Sequence, residues 1–170
     1  MKLHRLLLVF AASVSLSLFG CKDNHDHHGH SHGHGHDHGH SHGEDGHHHE
    51  PPHGGAPVVL GDEAFHLEFV RDEEAGKLQA YVMDGHMEEF VRIKAASFKI
   101  TVDGEVDPAE LELKAVANEA TGEVVGDTAL FEVQADWIKT TTNFSATIPV
   151  LELRGKKYEN VKFKFPEGNE

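Results

Sequence analysis

The segment from His25 to His53, HDHHGHSHGHGHDHGHSHGEDGHHHEPPH, constrains this chain more than any other. Thirteen of the seventeen histidines lie between His25 and His49. Imidazoles on a Gly, Ser and Asp backbone bury too little apolar surface to offset the entropy lost on ordering. The segment therefore reads as a disordered arm whose value is chemical. Imidazole is the commonest protein ligand for borderline divalent metals, and His-rich tracts bind metal by composition. The candidate ligands are His25, His27, His28, His30, His32, His34, His36, His38, His40, His42, His47, His48 and His49.

From His30 to His42 a histidine occupies every second position. In an extended chain such rings lie on one side, about 6 to 7 Å apart. A tetrahedral Zn site needs nitrogens roughly 2.0 to 2.1 Å from the ion, so the chain must fold back between ligands. Gly29, Gly33, Gly35, Gly39 and Gly43 permit that bending. The pattern predicts many overlapping, interchangeable sites with fast exchange. Asp26, Asp37, Glu44, Asp45 and Glu50 add oxygen ligands and negative charge. Interspersed residues and an internal position separate the tract from a purification tag.

Charge narrows the partners. The chain carries a formal net charge of -14, and residues 56–170 hold 23 acidic against 12 basic residues, a net -11. No basic patch is available for phosphates, so nucleic acid is not an expected partner.

Upstream of the tract, Lys2, His4 and Arg5 precede an apolar run of fourteen residues, Leu6 to Phe19, and then Gly20 and Cys21. The run is shorter than the about 17 to 25 residues a spanning helix needs, and it ends in a small residue, as a cleaved signal does. Leu18-Phe19-Gly20-Cys21 resembles the lipobox of bacterial lipoproteins. That resemblance implies a signal peptide over residues 1–20, cleavage before Cys21, and acylation of Cys21 with palmitate-type chains. It also implies a lipid anchor in the bacterial cell envelope, facing the periplasm or the exterior. Cys21 is the only cysteine, which rules out an internal disulfide. Residues 21–55 then form the lipidated cysteine and arm, and residues 56–170 the folded domain.

Pro51-Pro52-His53-Gly54-Gly55-Ala56-Pro57 marks the domain boundary. Beyond it, Phe65 to Phe69 alternates apolar and polar, and Lys77 to Val82 answers it across Arg71 to Gly76, a hairpin signal. The run before this hairpin is Val58 to Leu60. After it come Phe90 to Ile93, Ser97 to Val102, Leu111 to Val116, Ala129 to Ala135, Ala146 to Leu153 and Val161 to Phe165, separated by turn formers. The expected fold is all-β: an antiparallel Ig-like or cupredoxin-like β-sandwich of seven or eight strands. Ala109 to Asn118 is the one segment where helix competes with strand; it reads as strand.

Outside the tract and the signal only His53, His66 and His86 remain. On an extended strand Phe65, Leu67 and Phe69 face one way, so His66 and Glu68 share the other face. His86 follows the second hairpin strand, and His53 precedes Val58 to Leu60. If that segment runs beside the hairpin, His53, His66, Glu68 and His86 could converge at one edge of the sandwich, a reasonable set for Zn, Ni or Cu(II). Met83 and Met87 flank His86 as Cu(I)-selecting thioethers or as core filler. Trp137 reads as core.

His53-Gly54-Gly55 through Gly61, His66-x-Glu68, Gly76 and Tyr81 to Gly85 resemble the small extracytoplasmic domains of heavy-metal efflux systems in some Gram-negative bacteria. The likeness covers roughly the first third of the folded part. The tract resembles the His-rich loops of zinc transporters and of nickel-storage and metallochaperone proteins. Together these imply metal handling at the envelope, with an efflux or uptake transporter as partner. No His-Glu-x-x-His helix, Gly-x-Ser-x-Gly elbow, phosphate-cradling loop or spare cysteine nucleophile is present, so an enzyme is not expected. Two readings follow. One is an envelope-anchored lipoprotein that buffers or delivers divalent metal, Zn first, then Cu, Ni or Co. The other is a β-sandwich adaptor of an envelope complex whose docking is regulated by metal on the arm.

Overall fold

Alternation of apolar and polar residues drives the architecture. The computed structural model describes residues Glu50–Asn169, so the signal segment, Cys21 and the tract from His25 to His49 lie outside the described residues. The strands are β1 (Ala56–Leu60), β2 (Phe65–Asp72), β3 (Lys77–Asp84), β4 (Ser97–Val102), β5 (Glu110–Ala115), β6 (Leu130–Gln134), β7 (Phe144–Leu153) and β8 (Lys156–Phe165). One short 3-10 helix, Asp136–Lys139, connects β6 to β7. The eight strands form an antiparallel, nearly closed, sandwich-like sheet in the order β1-β2-β3-β6-β5-β4-β7-β8. The all-β fold expected from the strand spacing is the one observed.

Each strand turns its apolar set inward. In β4, Phe98, Ile100 and Val102 are buried while Lys99 and Thr101 are exposed; in β5, Leu111 and Leu113 are buried while Glu110, Glu112 and Lys114 are exposed. Glu110 to Ala115 is therefore strand despite its helix-favouring Glu and Ala, because pairing with β4 buries Leu111 and Leu113 at once. The hairpin β2–β3 forms with Asp72 opposite Lys77, and Asp72 Oδ1 accepts the Ala75 amide in the turn. Between β7 and β8 the chain reverses through Arg154 and Gly155, both at positive φ, as a two-residue turn matched to strand twist requires.

Phe90 to Ile93 departs from expectation. It makes two isolated bridges, Phe90 with Met83 and Ile93 with Thr128, instead of a strand. The segment leaves β3 and crosses toward the start of β6, so consecutive residues meet different neighbours and no ladder builds. Val91 and Ile93 still enter the core.

Closure at the β1 edge is made by the C-terminal tail. Asn169 Oδ1 accepts the Val59 amide at 2.7 Å, and the Asn169 backbone N–H donates to the Pro57 carbonyl at 3.3 Å. Gly168, at φ +87, sits where any Cβ would overlap the Pro57 carbonyl oxygen. The interior contains the stacked pair Phe69 and Phe163, 4.5 Å between centroids, and the edge-on pair Phe98 and Phe131 at 5.2 Å. Trp137 is partly buried against this core, its indole N–H donating to the Pro108 carbonyl. Among the described residues no helix is long and apolar enough to cross a membrane.

One end of the sheet is unusual. In β2 the inward Leu67 and Phe69 are buried, and so are His66 and Glu68 on the opposite face. Met83, opposite His66 on β3, is also buried yet lies outside the main core cluster. Over Glu68 this outer face is covered by His53 and Gly55, and Phe90 bridges to Met83 beside them.

Candidate metal site

The site begins with a tight approach of backbone to strand. Residues 51–54 form a turn in which the Gly54 N–H donates to the Pro51 carbonyl at 3.0 Å, with Gly54 at φ +67. Gly55 then packs directly on β2. A Cβ there would overlap the Phe69 carbonyl oxygen and lie 2.8 Å from Val70 Cγ2 and 2.9 Å from Glu68 Cγ. The His-Gly-Gly sequence thus has a geometric reason. The first glycine takes the left-handed turn, the second permits contact, and together they bring His53 over β2 and β3.

There Glu68, fully buried, receives three hydrogen bonds. Its Oε1 accepts the backbone N–H of His53 at 2.8 Å and of Gly55 at 2.9 Å, and its Oε2 lies 2.7 Å from His53 Nδ1. The His53 ring stacks on Tyr81, the cross-strand partner of Glu68, at 4.0 Å and 14°. Phe90 flanks the ring at 5.8 Å. The Tyr81 hydroxyl is held above its ordinary pKa by burial and by the Glu132 and Glu68 carboxylates, so it stays a neutral phenol at physiological pH.

His66 lies two residues before Glu68 on the same face. It is fully buried, with Nδ1 donating to the Asp84 carbonyl at 3.3 Å. His86 is exposed in the turn after β3. Asp84 organises that turn, its Oδ1 accepting the amides of Glu88 at 2.9 Å and Glu89 at 3.2 Å. Burial opposes ionisation of Asp84, but the amides of Glu89, Glu88 and His86 outweigh it and hold the carboxyl below its ordinary value. Met87, at φ 56, is buried beside this turn.

β1 runs beside the hairpin, with Val59 opposite His66 and Pro57 opposite Glu68. The condition for convergence is therefore met. The structure brings His53 and Glu68 into contact and places His66 beside them on the strand. Among the described residues, however, no group of three or more His, Cys, Asp or Glu side chains is arranged to hold a metal ion. Sequence patterning missed Tyr81 as a platform for His53. Its register opposite Glu68 supplies the only signal that could have found it.

The domain is thus an all-β sheet carrying a carboxylate-held imidazole at one end. Comparison with protein-family models, with curated proteins and with solved structures finds no match.

Gly55→Ala tests how tightly this unit is built. The added methyl meets backbone and cannot be relieved by one rotamer change, so a loss of about 1 to 3 kcal/mol is expected. Urea denaturation measures it, and the His53 ring should lose its contact with Tyr81 in nuclear Overhauser spectra.

Proposed function

We propose that this chain is a lipoprotein anchored through Cys21 in a bacterial envelope, facing the periplasm or exterior, that binds divalent metal. Zn is the first candidate cargo, followed by Cu, Ni and Co. The protein buffers the ion or delivers it to an efflux or uptake transporter. The observation that carries this reading is the tract, thirteen histidines within residues 25–49. Neutral imidazoles collect the ion, and interchangeable sites let it pass along the chain. His53, His66, Glu68 and His86 are the domain's candidate contributors. The reading assigns the chain no catalytic step.

Ligation requires unprotonated imidazole, whose reference pKa is about 6.5, so metal should be released as pH falls through roughly 6. Calorimetric titration with Zn should show several equivalents at about pH 7.5 and far fewer at about pH 5.5. One equivalent or none at the higher pH would defeat buffering.

A further inference from the structure

We propose that the groove between β4 and residues 149–157 of the β7–β8 hairpin docks an extended acidic peptide segment of a partner protein. Such docking needs no metal and involves only the folded domain.

The groove originates at a proline. β4 and β7 pair at Thr101 with Thr147 and at Val102 with Ala146, and the Asp103 N–H donates to the Ser145 carbonyl at 2.8 Å. In that register Lys99 stands opposite Pro149, which has no N–H to return, and the ladder stops before it. The other neighbour of β7 breaks at the same level. β7–β8 pairing passes from Ile148 with Val161 to Val150 with Glu159, and the skipped Asn160 takes φ 53. Burial changes phase here as well: Ala146 and Ile148 are buried before Pro149, Leu151 and Leu153 after it, and Pro149 and Val150 are both left exposed. The hairpin thus turns over at Pro149 and parts from β4.

The resulting groove has a volume of about 1070 Å³, against the about 300 to 1,000 Å³ of small-molecule pockets, so it has room for a short chain segment. Phe98 and Leu151 form an apolar floor, and Pro149 and the 49% exposed Val150 line one wall. Charge selects the occupant. The lining carries five basic residues, Arg92, Lys94, Lys99, Arg154 and Lys157, and three acidic ones, Glu110, Glu112 and Glu152. The rest of residues 56–170 holds 7 of the 12 basic and 20 of the 23 acidic residues, so the groove is a positive strip on a strongly negative domain. Two of its acids are already answered, Glu110 by Lys99 Nζ at 2.6 Å and Glu112 by Ser97 Oγ at 2.7 Å. Lys94 and Lys157 are exposed and have no ion-pair partner among the described residues.

A net charge of +2 is too little for a nucleic-acid backbone but suits a segment with a few carboxylates. The acidic remainder of the domain opposes an anionic membrane. An extended peptide turns alternate side chains to opposite sides, so alternating acidic and apolar residues meet the basic rim and the apolar floor together. The charges steer encounter and fix register, and the buried apolar side chains supply affinity.

The test follows backbone amide shifts of the full chain in metal-free buffer as blocked pentapeptides are added, one alternating glutamate with valine and one lysine with valine. The glutamate peptide should give saturable shifts at Ser97 to Lys99 and Val150 to Glu152, and the lysine peptide none. Lys94→Glu with Lys157→Glu should weaken binding about tenfold or more, because like charges then line the rim. Lys162→Glu with Lys164→Glu makes the same charge change on β8 outside this groove, at least about 16 Å along the strand from Lys157, and should leave affinity within about twofold, since exposed charges beyond about 10 Å are screened. No shift, shifts elsewhere, an equal response to both peptides, or equal losses in the two variants would overturn the inference. Dilution of the free protein that moves the same amides would overturn it in favour of a second copy, and a response only to phosphatidylglycerol vesicles in favour of a membrane. Should the groove variant not fold, peptide selectivity and the place of the wild-type shifts decide.

Discussion

Glu68→Ala is expected to destabilise the domain by about 2 to 4 kcal/mol. The substitution removes the acceptor for two backbone N–H groups and for His53 Nδ1, and a buried donor left without a partner costs about 1 to 3 kcal/mol. His53 is partly exposed, so water recovers some of its loss and the sum falls short of three full penalties. Truncation also opens a void beneath residues 53–55. Glu68→Gln retains one oxygen for the two amides and should lose less than about 1.5 kcal/mol. Urea denaturation of both variants separates the acceptor's contribution from the charge. Equal losses would mean that the ionic contact, not the acceptor, holds the segment.

Phe131→Ala should cost about 3 to 5 kcal/mol, a large share of the stability of a domain this size. Phe131 is fully buried, and with Glu132 it is where β6 joins both neighbours, Phe131 standing opposite Ala80 of β3 and Ala115 of β5. The β5–β6 ladder contains only two residue pairs, and across that seam this side chain adds an edge-on contact with Phe98 of β4. Thermal unfolding should stay cooperative at a lower midpoint. Two separated transitions would show that the halves are independently stable.

Much of the fold was legible. Strand alternation located β2, β3, β4, β5, β7 and β8 because each has one face against the core, and period two is what such a strand must show. Phe90 to Ile93 failed for the complementary reason: its residues are apolar enough for a strand, but pairing depends on neighbours that a local window does not contain. For the candidate site, alternation correctly put His66 and Glu68 on one face. It could not reveal that Glu68 is also buried on that face, because the cover comes from His53 and Gly55, outside the strand.

The sequence by itself determined the imidazole-rich composition of the tract and the all-β class. Composition is read directly from the residues, and the class follows from local periodicity. Only the tertiary structure decided the strand order, the place of Tyr81 beneath His53, and the use of Glu68 as the support of an imidazole fifteen residues away. Such contacts depend on how β1 and the turn before it lie across the hairpin. That placement is set by long-range packing and by the lack of a side chain at Gly55, which no reading of neighbours along the chain contains.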